Sequence, residues 1–227
     1  MKSRLFYKNW TISILVYRMK KTISVVCLLV LCATGLAQNA DILAEEGWEL
    51  EKTKYEIEVY SKLLPGYDIK AFKATGLIEA SVEQVTDVVM DIERYTDWYP
   101  NCKIGEELAG STATEQIRRI EFKLPWPFDN RDAVNILKLK ELEEGVWIDI
   151  LNPEEEYPKE KNVYRVQRTE GYWNITEEST GKTRLTYAAV GEPGGIPNWI
   201  INIFLFESPL DAINNIRKLV KKQEKSG

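Results

Sequence analysis

Pro193–Lys222 reads PGGIPNWIINIFLFESPLDAINNIRKLVKK, and this stretch decides the fold. Pro193-Gly194-Gly195 breaks the chain as a hinge would, and Pro197 suits a helix's first turn, where a missing N–H costs nothing. From Trp199 to Phe206 every residue except Asn202 is apolar. A helix apolar on every side has to be enclosed, by protein or by some other apolar body. Ser208-Pro209-Leu210-Asp211 then resembles a second helix start, with a hydroxyl cap, a proline and an acid near the positive end of the dipole. Pro209 therefore either kinks one long helix or divides it in two. Beyond it Leu210, Ile213, Ile216 or Arg217, and Val220 recur at helical spacing, leaving Asn214, Asn215, Lys218 and Lys221 for water. The rest of the chain reads as the surface on which this helix lies.

That surface is mostly strand. Tyr55, Ile57 and Val59 alternate with Lys54, Glu56 and Glu58, the period of one half-buried strand. Leu64-Pro65-Gly66 turns it, and Ile69 to Ile78 returns. Ser81-Val82-Glu83-Gln84 has the form of a capping box, and Val82, Val85, Val88 and Val89 give the following helix one apolar face. Asp91 can cap a second short helix, Ile92 to Trp98, before Pro100. Strands then follow at 103–109, 117–124, 131–142, 146–151, 163–167, 172–176 and 183–190. Gly110-Ser111, Glu144-Gly145 and Thr180-Gly181-Lys182 are turns short enough to join antiparallel neighbours. Two strands, a helix pair, a long meander and a terminal helix make an α+β chain, its helices gathered on one face of an antiparallel sheet. A twisted sheet of this length curls around whatever lies on its concave face, here the terminal helix.

The chain has 227 residues, 44% hydrophobic and 29% charged, in the ordinary globular range. Residues 1–37 read as a signal peptide: Met19-Lys20-Lys21 is a basic start, Thr22 to Leu36 an apolar run, and Gly35-Leu36-Ala37 a small-residue site cut before Gln38. Residues 1–18 fit this poorly and read as translation upstream of a working start at Met19; an uncleaved membrane anchor is the alternative. Export to the periplasm or beyond the cell is therefore expected. Residues 1–37 carry six Lys/Arg and no Asp/Glu, so residues 38–227 hold 30 − 6 = 24 basic against 35 acidic residues, a net charge of 24 − 35 = −11. Such a charge repels nucleic acid and anionic lipid surfaces. Residues 38–227 suffice for one domain, and their single cysteine, Cys102, allows no internal disulfide.

The chain contains no histidine, which excludes Ser-His triads and Cys-His pairs and removes the commonest metal ligand. Cys102 reads as a half-buried structural thiol. Glu154-Glu155-Glu156 reads as a solvated loop, with weak calcium binding the alternative. No cofactor is implied. Arg131 and Asp132 are adjacent on a strand, so they face opposite sides. One of them ties the Pro125-Trp126-Pro127-Phe128 loop to the sheet, or one contacts a ligand. Arg119 and Glu121 share a face opposite Ile120, Phe122 and Leu124. They are solvent-facing if the apolar side is the core, and the polar end of a pocket if it is not. The Pro125–Phe128 loop is either a rim that touches a membrane transiently or a loop packed on the terminal helix. Trp147, Trp173, Trp199, Phe204 and Phe206 can line a cavity as readily as fill a core.

Three stretches carry a resemblance to the START domain, the helix-grip family of lipid-binding proteins. Asp91–Cys102 (DIERYTDWYPNC) resembles the segment before that family's meander. Phe128-Asp129-Asn130-Arg131-Asp132 resembles its Arg-Asp strand opening, and Gly194–Trp199 (GGIPNW) the start of its C-terminal lid helix. The similarity runs from about Trp48 to the end, and the order and spacing of the motifs are more specific than any one of them. It implies a tunnel between curved sheet and terminal helix, holding a lipid, a sterol or another apolar molecule, in a monomer. The residues expected to line it are Trp98, Asn135, Leu137, Trp147, Trp173, Tyr187, Trp199, Ile203 and Phe204, with Arg119, Glu121 and Arg131 as candidate polar anchors. Many sterol carriers that resemble this chain place a second arginine six residues after the first. Leu137 stands there, which implies a drier pocket. A carrier or sensor is the leading reading. A cyclase-, aromatase- or hydrolase-type enzyme using the same tunnel, and a module whose aromatic loop docks a partner protein, are the alternatives.

Overall fold

The computed structural model describes residues 40–112 and 114–224, so the expected signal peptide lies outside the described residues. The chain divides into two compact units after Leu43. The described part of the first is a single helical turn, α1 (Ala40–Leu43). The second opens with β1 (Glu49–Lys54), β2 (Ile57–Leu63) and β3 (Lys70–Ile78), then α2 (Val82–Met90), a 3₁₀ turn (Ile92–Arg94) and α3 (Tyr95–Trp98). The meander follows: β4 (Cys102–Glu107), β5 (Glu115–Phe122), β6 (Asn130–Leu142), β7 (Gly145–Leu151), β8 (Val163–Arg165), β9 (Thr169–Ser179) and β10 (Lys182–Gly191). The chain then enters α4 (Asn198–Asn202), a π-turn (Ile203–Glu207) and α5 (Ser208–Glu224). The strands form one sheet in the order β1-β2-β3-β10-β9-β7-β6-β5-β4, antiparallel along this path. Short β8 pairs in parallel with the start of β6. This is the expected α+β helix-grip arrangement.

Three local readings change. The single strand expected across Tyr55–Val59 is a hairpin, because Tyr55 and Glu56 both adopt φ +56° and turn the chain back. Two consecutive left-handed residues are the signature of a type I′ turn, normally announced by Asn or Gly, and neither is present. Arg217 of α5 holds the turn by donating to the carbonyls of Tyr55 and Glu56 and, at 2.6 Å, to that of Leu77. Asp91 makes no side-chain cap, and the segment after it starts as a 3₁₀ turn. Ser81, by contrast, makes both bonds of its capping box with Gln84. Pro209 does not divide the terminal helix, which runs on from Asn198 to Glu224. A proline has no N–H for the i−4 carbonyl, and the helix widens into a π-turn just before it, with the Ser208 N–H reaching the Ile203 carbonyl. Ser208 is thus inside the helix and buried, not a cap.

α5 lies on the concave face over β2 and β3. Leu210, Ala212, Ile213, Ile216 and Val220 are all buried there, each large side chain contributing about 1.5–3 kcal/mol. Asn215, read as solvent-facing, instead donates to the Trp98 carbonyl at 3.0 Å and links α5 to α3. The helix presses on the sheet at Gly76: a Cβ there would stand 3.1 Å from Arg217 Nη2 and 3.3 Å from Ile213 Cγ2 of α5, and 2.9 Å from Ile57 Cγ1 of β2.

The convex face of β4–β6 and β8 carries a charge network instead. Arg119 donates to Asp132 at 2.7 Å and to Glu121 and Glu106 at 2.8 Å each. Arg165 grips Asp132 through two bonds of 2.8 and 2.9 Å, and Lys103 meets Glu121 at 2.7 Å. Burial works to raise the carboxyls of Asp132 and Glu121, but these bonds outweigh it and hold both below their ordinary values.

Gly76→Val should cost roughly 1–3 kcal/mol by overpacking, read as a lower urea midpoint with unchanged slope. Asp132→Ala should cost roughly 3–5 kcal/mol, because it strips a buried carboxylate from two arginines. The lowered carboxyls stabilise the fold fully above the unfolded-state values of about 4 and lose that contribution as pH falls through the folded ones. Scanning calorimetry from pH 7 to 2 should therefore show the wild-type Tm falling in the acid limb, with a shallower fall in Asp132→Ala.

A cavity between the sheet and the terminal helix

Where α5 ends and the lid formed by α4 and the π-turn begins, helix and sheet part. A cavity of about 150 Å³ lies between them. Its floor is the inward ladder of the sheet: Phe72 on β3, Tyr187 and Ala189 on β10, Ile150 on β7, Ala133 and Asn135 on β6, and Arg118, Ile120 and Phe122 on β5. Its roof is Ile201, Phe204 and Leu205 of the lid. Ala133 and Ala189 keep the floor low where larger side chains would take up this space. Phe204 closes edge-on over Phe122 at 5.8 Å, and Lys52 of β1 pairs with Glu207 at the end of the π-turn.

The polar groups of the lining are few. Tyr99 and Tyr187 share a hydroxyl–hydroxyl bond of 2.8 Å. Burial pushes Tyr187 up to about 12 and Tyr99 well above the ordinary phenol value, so both are neutral at pH 7. Asn135 donates to the Thr169 carbonyl at 3.4 Å. Arg131 donates to the carbonyls of Pro193 at 2.7 Å and Asp129 at 2.6 Å, and its guanidinium lies 4.7 Å from the Tyr164 ring centre. Arg118, 2% exposed, donates to the Tyr95 hydroxyl at 2.6 Å and the Val89 carbonyl at 3.3 Å, while its Nε has no partner. No carboxylate is among these lining residues. The Cys102 thiol, outside the lining, is pushed up to about 11 by burial. No cluster of three or more His, Cys, Asp or Glu placed to hold a metal occurs among the described residues.

Of the residues expected at the pocket, Asn135, Tyr187, Phe204 and Arg131 meet around the cavity. Others lie elsewhere. Trp98, Trp173 and Leu137 are fully buried in the core; Trp173 stacks on Tyr187 at 3.7 Å and meets Trp98 edge-on at 6.3 Å. Trp147 is on the convex face, stacked on Tyr172 at 4.4 Å with its N–H on Asp149. Trp199 is 54% exposed, and Ile203 is half-buried outside the lining. Arg119 and Glu121 belong to the convex network, which resolves which side of β5 is concave: the face of Ile120 and Phe122. Arg131 reaches the carbonyl of Asp129, just after the Pro125–Phe128 loop, rather than the loop itself, and Asp132, one residue on, faces the other way into the network. Trp126 in that loop is 92% exposed and is not packed on the lid. Arg118, Tyr99, Phe72 and Phe122 were not anticipated. Parity could have found Arg118, since it shares the face of Ile120 and Phe122.

Comparison with known proteins places this architecture. The chain is 29% identical over 191 residues to a Pseudomonas aeruginosa protein described as uncharacterized, covering 83% of this chain and 93% of the relative. It is 27% identical over 169 residues to the phosphatidylcholine transfer protein of Bos taurus, covering 70% and 78%. Among solved structures, the STAR-related lipid transfer protein of Xanthomonas axonopodis superposes with a TM-score of 0.70 at 26% identity, covering 78% of this chain and 99% of that one. With the START domain pattern matched across residues 32–226, around this sheet, cavity and lid, the chain belongs to the START domain family.

Proposed function

We propose that this protein binds a lipid or another hydrophobic small molecule between the sheet and the lid and acts as its carrier or sensor. The observation that carries the reading is the largely apolar cavity where lid and sheet part. The bovine relative's name as a phosphatidylcholine transfer protein and the Xanthomonas neighbour's as a lipid transfer protein support it. The signal-like residues 1–37 support a site of action outside the cytoplasm. Catalysis is the weaker reading, because the lining offers two protonated phenols and two guanidiniums but no carboxylate, imidazole, thiol or amine to serve as a base.

The cavity matches the roughly 150 Å³ that admits one benzene-sized guest, well short of the ~300–1,000 Å³ of drug-sized sites. A whole lipid therefore enters only as the lid swings outward. Gly194-Gly195 is the hinge: Gly194 has φ +76° and lies so close to the Tyr164 ring that a Cβ would be 2.5 Å from it. Enclosing roughly 400 Å² of apolar ligand is worth about 10 kcal/mol, from which lost ligand freedom subtracts enough to leave micromolar affinity. Exposed Trp126 is the group placed to touch a membrane during exchange.

Mass spectrometry of organic extracts from natively purified protein should show one dominant apolar species. Ala189→Phe, which fills the cavity, should abolish that species and weaken binding of added lipid at least about tenfold, about 1.4 kcal/mol, while the fold persists. Wild type without extractable lipid and without binding to a panel of phospholipids, fatty acids and sterols would overturn the reading. Trp126→Ser should slow lipid transfer between vesicles severalfold and leave equilibrium affinity unchanged; an unaltered rate removes Trp126 from membrane contact.

A further inference from the structure

Arg118 and Arg119 are neighbours on one strand with opposite circumstances. Arg119 faces outward and is satisfied by three carboxylates. Arg118 faces the cavity, is at least as buried, and has only neutral acceptors: the Tyr95 hydroxyl and the Val89 carbonyl, with the Tyr95 ring centre 4.8 Å from its guanidinium carbon. A guanidinium has five N–H donors, and the Nε of this one has no acceptor. A buried cation without a counter-charge costs several kcal/mol, a cost that an apolar side chain of similar length in its place does not carry. The chain has 35 acidic residues against 30 basic, yet the cavity lining contains two arginines and no acid. The second, Arg131, has its donors on two backbone carbonyls and its plane over Tyr164, so it is accounted for.

We propose that the missing counter-charge at Arg118 comes with the ligand, and that the cavity takes an amphiphile with an acidic head, a carboxylate or a phosphate. This rests on the cavity being the lipid site and specifies its ligand class. The head oxygens accept from Arg118, with the Asn135 amide opposite it in strand register. The apolar tail runs along Ile120 and Phe122 beneath Phe204. Arg118 and Phe122 are four residues apart on β5, about 13 Å at ~3.3 Å per residue.

The test measures binding of oleate, 1-oleoyl lysophosphatidate and oleyl alcohol, one tail with three heads, to the delipidated full chain by titration calorimetry below the micelle concentration of each. The wild type should bind one or both acids at least about tenfold more tightly than the alcohol, and which acid wins separates carboxylate from phosphate. Arg118→Met should abolish this preference and keep alcohol binding; Arg118→Lys should keep part of it, and Arg131→Met all of it. Thermal unfolding should place Arg118→Met at or above the wild-type Tm. Equal affinity of the wild type for all three probes overturns the proposal and leaves the lipid site standing, a result that depends on no variant folding. An acid preference that survives Arg118→Met, or is lost in Arg131→Met alone, also overturns it. Failure of all three probes to bind overturns the proposal, and the extraction and wider lipid panel above then decide the lipid site itself.

Discussion

Everything about this molecule turns on where one helix stops touching one sheet. α5 is seated on β2 and β3 because Gly76 removes the side chain that would hold it off, and Ile213 and Arg217 come down into the gap. Arg217 uses the same approach to fix the tight turn before β2. One turn before Pro209 the helix loosens into a π-turn, and the cavity opens beneath Phe204 and Leu205, over a floor that mixes Ala133 and Ala189 with Phe72, Tyr187 and Ile150. Core packing and cavity lining thus fall to consecutive segments of a single helix.

The alternation of strand side chains distributes the charges. On β5 and β6 neighbouring residues bear opposite fates: Arg118 inward and Arg119 outward, Arg131 inward and Asp132 outward. The outward members find each other and form a closed set of ion pairs across β4, β5, β6 and β8. The inward members face apolar side chains and backbone. The cavity side of these strands thus carries two guanidiniums and no carboxylate, while the opposite side carries both signs in paired form.

Much of this was legible in the residues. The apolar run at Trp199–Phe206, the capping box at Ser81 and the short turns of the meander have local causes, and local causes are visible in sequence. The hairpin at Tyr55–Glu56 was not, because its left-handed residues are held by an arginine more than 160 positions away. The tryptophans misled for a different reason. Size fits an indole equally for a cavity wall and for a core, and Trp98, Trp173 and Trp147 are decided by which layer their strand or helix packs against. Arg118 was hidden by its neighbour, since a run of two arginines attracts attention to the one with acidic residues at hand.

The two segments of the terminal helix are held down by interactions of different strength. The buried side chains of α5 are shared with α2, α3 and the sheet, and Asn215 adds a bond to the Trp98 carbonyl. The lid's seating depends on Ile200, Leu205, the Phe204–Phe122 contact and the Lys52–Glu207 pair. That pair is half-exposed, and such pairs are worth about 1 kcal/mol or less. A π-turn also has poorer hydrogen-bond geometry than the α-helix on either side of it. The opening proposed above would therefore break the weaker half of the terminal helix and leave the stronger half in place, and an entering tail that restored the apolar contacts of Phe204 and Leu205 would offset the cost of displacing them.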